Sequence, residues 1–330
     1  MLKVTFPDGA QKEYDKGITP LEIAQSISHS LAKRLLSASF NNKQIESSTK
    51  ILENGNIEFY FWDDIKGKNA FWHSSAHLFA QIILELYPKS KLTIGPPIHN
   101  GFYYDVDLGD KIISENDFEK IEKMMIDEAR KDHKFILRES SKKDALDFYK
   151  KNGNQYKTEL INDLNDEKIT FCDHANFSDL CKGGHIPSTG HIKAVKLLNV
   201  AGAYWRGDEK NKQLTRVYGI SFPKQKLLSE YLELIQEAKK RDHRVVGKKL
   251  KLFTFSNQVG LGLPLWLPKG AELRERLENF LKKAQKKAGY EMVVSPHIGN
   301  KKLYETSGHF QKYGESSFMP IKSPSSDEEF

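Results

Sequence analysis

Two imidazoles four residues apart inside an apolar run constrain this chain more than any other feature. His73 and His77 lie in residues 69–87, a stretch rich in Ala, Phe, Trp, Ile and Leu that Pro88 ends. Helical periodicity stacks both rings on one face of such a segment. A second pair with the same spacing, Cys181 and His185, flanks Gly183 and Gly184. Two glycines between thiol and imidazole predict a tight loop whose backbone can approach a ligand closely. Brought together, the four residues would make a compact site of three imidazoles and one thiol, suited to metal binding or to proton transfer.

Charge bears on the class of partner. Lys plus Arg exceed Asp plus Glu by 51 to 44 in 330 residues, a net +7. That excess favours polyanionic partners and fits a basic enzyme equally well. No apolar run approaches the roughly 20 residues of a membrane span, and the first nine residues lack the apolar core of a signal peptide. A cytoplasmic location and no membrane partner are expected. Cys172 and Cys181 are the only cysteines, too few for a disulfide framework, which leaves Cys181 free for chemistry.

The pattern along the chain divides it into four. In residues 1–62, Pro7-Asp8-Gly9 separates two strand-like runs. Thr19-Pro20-Leu21-Glu22 then forms a helix start with a capping box, and residues 57–61 read as a further strand. This is the signature of a small α+β unit of the β-grasp kind. Residues 63–223 mix helices and strands, with Phe118, Ile121, Met125 and Ala129 on one helical face as expected for packing on a sheet. Residues 224–251 read as a helix followed by a basic linker, which either tracks phosphates or is simply solvated. From 252 the pattern changes to a long amphipathic helix, residues 271–288, stopped by Gly289 and followed by an expected strand at 290–296. Residues 323–330 have no periodicity. By ordinary size priors the last unit is expected to be an unfinished domain.

In order and nearly throughout, these segments resemble bacterial threonyl-tRNA synthetases. The marks are His73-Ser-Ser-Ala-His77; Gly95-Pro96-Pro97 with Asn100-Gly-Phe-Tyr-Tyr104; Asp179-Leu-Cys181-Lys-Gly-Gly-His185; Gly202-Ala-Tyr-Trp-Arg-Gly-Asp208; and Leu214-Thr-Arg-Val-Tyr-Gly219. Gly289-Tyr-Glu-Met-Val-Val-Ser-Pro296 is similar to motif 1 of class II synthetases, which helps form their dimer interface. The resemblance implies an α+β multidomain chain. Residues 1–62 would be a TGS domain, 63–223 an editing domain with a sheet packed by helices, 224–251 a linker, and 252–330 the start of an antiparallel class II catalytic domain. Motifs 2 and 3, the ligands of the catalytic-domain zinc and an anticodon-binding domain are not found, so an incomplete aminoacylation site is expected. The family's full-length enzyme ligates threonine to tRNA(Thr) with ATP, carries zinc and forms a homodimer; no cofactor is firmly expected for this stretch.

The resemblance also implies a chemistry. A threonine pocket separates threonine from serine by one methyl group, about 1–3 kcal/mol, so a second site that hydrolyses the wrong ester is needed. The substrate would be seryl-tRNA for threonine, with the extra methyl of threonine excluded sterically. His73 is expected as general base or water-positioning group, a role typically worth about 10²–10⁴-fold. His77 would orient the terminal ribose or the water, Cys181 and His185 would line the opposite wall, and Asp179 would hold the amino group of serine. Lys157 and Tyr104 match family pocket positions and could stabilise the developing oxyanion. Cys172, Phe102 to Tyr104, and Tyr204-Trp205 also have ordinary packing readings, and Arg206 is either an RNA contact or a salt-bridge partner of Asp208 or another acid.

Two rival readings stand beside the editing deacylase: a non-catalytic module that binds the tRNA acceptor stem, and a zinc-stabilised structural domain. Three imidazoles and a thiolate make an acceptable zinc set, as in the related alanyl editing domains, but four protein ligands leave no position for an activated water. His73-Ser-Ser-Ala-His77 lacks the glutamate of His-Glu-x-x-His proteases.

Overall fold

The structure is a computed structural model and describes residues 1–260, 262–316, 318–322 and 329. The chain divides into two compact units, Met1–Gln236 and Glu237–Phe330. Both mix helices and strands, distributed over several sheets.

The first unit opens with a five-stranded sheet built from Leu2–Thr5, Gln11–Tyr14, Ser37–Phe40, Lys43–Ile45 and Gly55–Tyr60. Its spatial order, numbering those strands along the chain, is second, first, fifth, third, fourth. Leu2–Thr5 runs parallel to Gly55–Tyr60, and the remaining pairings are antiparallel. Thr19 and Glu22 form the expected capping box on the helix Pro20–Ile27, which begins with its proline. Leu2, Val4, Ile23, Phe40, Ile51 and Ile57 close a core beneath it.

The middle of the unit is organised by the 22-residue helix Ile65–Leu86, about 33 Å long at helical rise. It ends at Tyr87, which leaves the helical region ahead of Pro88 as a residue preceding proline tends to. Its apolar side chains go into the largest core together with Phe102, Ile121, Met125 and Val217. The sheet on which it lies has the order Ala194–Tyr204, Gln213–Phe222, Gly101–Asp107, Lys91–Leu92, with Pro97–Ile98 also paired to Gly101–Asp107. Phe118, Ile121, Met125 and Ala129 are all buried on one face of the helix Phe118–Ala129, the face that the spacing assigns to packing. A third, three-stranded antiparallel sheet joins Ile136–Ser141, Lys168–His174 and Phe177–Leu180. The helices Lys142–Lys151 and Gln155–Asn162 follow its first strand, and Ala145, Tyr149, Ile161, Ile169 and Phe171 form its core.

The second unit contains the helix His243–Lys249, a short hairpin of Phe253–Thr254 with Leu265–Trp266, the helix Pro268–Lys287, and the short helices Lys301–Thr306 and His309–Tyr313. The basic run from 239 to 251 is therefore largely helical rather than extended. The long helix starts three residues earlier than periodicity predicts because Pro268 supplies a pre-set first position. The strand expected at 290–296 does not form among the described residues: Val293 and Val294 are 84% and 98% exposed, with no neighbouring ladder. β-Branched composition makes a strand only where a partner strand takes up the backbone groups. The expectation for 323–330 lies outside the described residues except at Glu329.

Candidate functional site

The four residues singled out by spacing meet in one cluster. His73 Nε2 lies 3.0 Å from Cys181 Sγ, His77 Nε2 lies 3.1 Å from His73 Nε2, and Cys181 Sγ lies 3.3 Å from His185 Nε2. The helix Ile65–Leu86 supplies the first two; the loop after strand Phe177–Leu180 supplies the others. Gly183 and Gly184 both take left-handed backbone, φ +99° and +91°, which lets the loop turn within the four-residue spacing. His73 is half-buried, whereas His77, Cys181 and His185 are buried.

Two serines between the histidines set the helix against its surroundings. Ser74 Oγ accepts from the Ile186 amide at 3.0 Å and donates to the Ala70 carbonyl; Ser75 Oγ bonds to Ser221 Oγ at 2.6 Å and to the Phe71 carbonyl. One serine therefore ties the helix to the glycine loop and the other ties it to strand Gln213–Phe222. In the sequence these serines were silent parts of a motif.

Asp179 is the second focus. Its Oδ1 pairs with Lys157 Nζ at 2.7 Å and accepts from Tyr149 at 3.1 Å; its Oδ2 accepts from Tyr104 at 2.9 Å. All four side chains are almost completely buried. Lys157 and Tyr104 thus serve Asp179 directly in this arrangement instead of standing free for an oxyanion. Tyr149 escaped the sequence reading because a tyrosine on an amphipathic helix has no signal beyond packing. His77 Nδ1 stands 3.9 Å from Asp179 Oδ2 and has no hydrogen-bond partner among the described residues. A buried, unsatisfied ring nitrogen is costly unless a ligand or water meets it.

A cavity of about 510 Å³ opens beside these groups, lined by His73, His77, Gly95, Tyr104, Lys157, Asp179 and Cys181 among others. That is the size range of a small-molecule pocket. His185 does not line it: the ring stands behind Cys181, stacked on Phe135 with centroids 5.5 Å apart and planes 12° apart. The expectation that it would share the wall with Cys181 is corrected accordingly, because the glycine loop turns it inward. Gly95 is required by close approach, since a Cβ there would meet Tyr104 Cδ2 at 2.1 Å.

Electrostatics divide the cluster. Burial pushes His77 below the ordinary imidazole range and so favours its neutral form. Burial would raise the Cys181 thiol, but the surrounding imidazoles outweigh it and bring the thiol well below its usual value. Burial would likewise lower His185, but hydrogen bonds to Cys172, Cys181 and Glu46 hold it well above. Tyr104 and Tyr149 are pushed far up by burial and by the Asp179 carboxylate, so both remain donors. Cys172, away from the cavity, is pushed up by burial to about 11.

The cluster also has the composition of a zinc site, with one ligand atom from each residue and all four atoms within 4.8 Å of one another. His73, His77, Cys181 and His185 would hold the ion, and the donor set fits it. Ligation by all four would fill a tetrahedral sphere, so the ion would supply cross-linking and no activated water.

The other sequence candidates sit elsewhere. Trp205 is buried against Tyr156 while Tyr204 is partly exposed. Arg206 pairs with Glu159 at 2.9 Å and with Asp163, not with Asp208.

Comparison with known proteins covers the whole chain. Residues 2–60 match the TGS domain family, and residues 169–218 match the family described as threonyl and alanyl tRNA synthetase second additional domain. Threonine–tRNA ligases from Flavobacterium psychrophilum and Flavobacterium johnsoniae are 61% and 62% identical over 330 residues, all of this chain and 51% of each relative. That from Porphyromonas gingivalis is 56% identical over 331 aligned positions, with the same coverage. The chain spans about half the length of the curated relatives it matches, the N-terminal half.

Proposed function

From a chain that is related to threonyl-tRNA synthetases over its entire length, we propose that this stretch hydrolyses seryl-tRNA mischarged in place of threonyl-tRNA. We read residues 1–62 as a β-grasp TGS domain, 63–223 as the editing domain, 224–251 as a helical basic linker, and 252–330 as the start of a class II catalytic domain. The whole protein would then be a homodimeric threonine–tRNA ligase of the cytoplasm, using ATP and a catalytic-domain zinc, with tRNA(Thr) as its partner.

One observation supports this reading above the rest. His77 Nδ1, unpartnered among the described residues, and Asp179 Oδ2, which accepts from Tyr104 and keeps a second lone pair, lie 3.9 Å apart at the cavity edge and offer one ring nitrogen and one carboxylate lone pair. The α-ammonium of a bound aminoacyl end can donate to both. Lys157, Tyr104 and Tyr149 hold the Asp179 carboxylate in place for it. His73, the half-buried member, positions the attacking water and takes its proton as the water oxygen bonds to the ester carbonyl carbon. The tetrahedral intermediate then breaks the bond to the terminal ribose oxygen, which takes that proton back from His73 and leaves as the free tRNA end, with serine as the other product.

The reading is tested by incubating the chain with seryl-tRNA(Thr) and threonyl-tRNA(Thr) separately. Selective loss of the seryl ester is expected. Loss of both, or of neither, overturns the proposal.

A further inference from the structure

The site reaches beyond the second-additional-domain match. Glu46, which follows strand Lys43–Ile45 inside the TGS match, is 5% exposed and lies against the glycine loop. Its Oε1 accepts from the Gly184 amide at 2.8 Å, its Oε2 accepts from the His185 amide at 3.2 Å, and Oε1 lies 3.0 Å from His185 Nδ1. Among the described residues its only ion-pair partner is His185.

We infer that Glu46 is a positioning residue for the candidate deacylation site, through which the TGS domain fixes the His185 ring behind Cys181. The inference rests on the proposed hydrolytic reading for its functional consequence, but its geometry is independent of it. Burying a carboxylate is expensive unless its lone pairs are met. A glutamine would keep one acceptor oxygen but turn its NH2 group, a donor, toward one of the two backbone amides. Only a carboxylate can accept from both amides and from the Nδ1 proton at once, which leaves Nε2 directed at Cys181 Sγ, 3.3 Å away. Outer partners of this kind hold the ring orientation of ligating histidines, and their loss costs about 10–100-fold there.

The local sequence folds to deliver this contact. The Thr49 amide bonds to the Glu46 carbonyl and the Leu21 amide to the Ser47 carbonyl, so the turn after the strand is anchored to the helix Pro20–Ile27. On the other side, a Cβ at Gly183 would stand 3.1 Å from Glu46 Oε1, tighter than ordinary contact. Glycine there allows both the left-handed backbone and the close seat of the carboxylate. Glu46 and His185 lie 139 residues apart in the chain, which is why sequence spacing gave no sign of the pair.

The test compares the full chain with its Glu46→Gln and Glu46→Ala variants. In the glutamine variant, assayed at a temperature where it is folded, seryl-tRNA(Thr) deacylation should fall about 10–100-fold in kcat/KM. In nitrogen-15 NMR with labelled histidine, the hydrogen-bonded Nδ1–H proton of His185, assigned by its loss in His185→Gln, should be present in the parent and shift or vanish in Glu46→Gln. The alanine variant should show the same NMR change with a larger loss of activity. Parent-like deacylation together with an unmoved His185 Nδ1 signal in Glu46→Gln overturns the inference. A parent chain inert toward the seryl ester would sink the hydrolytic reading alone; the NMR comparison would still decide whether Glu46 holds the ring.

Discussion

Two long helices of nearly equal length end in opposite situations. Ile65–Leu86 has 22 residues, of which Gly67 and the two runs Ala70 to Trp72 and Ser74 to Ile83 are buried; Pro268–Lys287 has 20, of which only Gly270 is buried. The first is enclosed on nearly every side, so even its serines and one of its histidines are drawn inside. The second carries an apolar stripe, Leu273, Leu277, Phe280 and Leu281, between 46% and 68% exposed. Periodicity alone reads the second as the better amphipathic helix. The contrast shows that apolar spacing states which face wants burial, while the neighbours supplied by the rest of the fold decide whether it is buried.

The strongest way to sharpen that contrast is chemical. His73→Ala on the enclosed helix should reduce deacylation of seryl-tRNA(Thr) by about 10²–10⁴-fold while leaving the melting profile near the parent's; single-turnover assays would show it. A parent-like rate would remove His73 from the mechanism. Next comes packing. Phe79 is fully buried among Phe102 and Tyr104, so Phe79→Ala should cost about 3–5 kcal/mol in denaturant unfolding of the first unit. A loss under 1 kcal/mol would mean the core is looser than its burial indicates.

A smaller effect concerns acid. His174 is 2% exposed, lies between the rings of Phe135 and Phe177, has no hydrogen bond at either nitrogen among the described residues, and is pushed down by burial to about 3. Its unfolded value lies near 6.5, so below that pH the unfolded chain binds the proton that the folded chain refuses. Its contribution is present above 6.5 and is lost as pH falls toward about 3. Between pH 6.5 and 5 this amounts to about 2 kcal/mol. His174→Leu should therefore flatten the acid side of the stability curve by that amount, measured by urea unfolding at both pH values; an unchanged slope would refute it. The smallest effect belongs to the other helix. Phe280→Lys should change folding stability by no more than about 0.5 kcal/mol, yet reduce concentration-dependent association in sedimentation, because it interrupts the exposed stripe. A large destabilisation would show that the stripe is covered within the chain.

Much of the site was legible because its chemistry-bearing residues recur at fixed local offsets. His73 with His77 and Cys181 with His185 are each four apart, and the intervening sequence announced a helix in one case and a glycine turn in the other. The capping box at Thr19 and Glu22 was readable for the same reason. What stayed hidden depends on contacts between distant segments. Glu46 carries no local pattern, Tyr149 looks like helix packing, and nothing in the sequence shows that His185 turns away from the cavity. The expected strand at 290–296 fails on the same ground, since ladder formation is a property of two segments and its composition describes one.

The serines at 74 and 75 have a consequence for how this fold can change over time. They and the flanking histidines address a loop, a strand and a cavity from successive directions around one shaft, each about 100° from the next. Deleting or adding a single residue between positions 73 and 77 would rotate every later attachment off its counterpart at once. Drift in length should therefore be found at turns such as Gly109, where added atoms would meet open space, and be forbidden along this shaft, where point replacement is the only route left to variation.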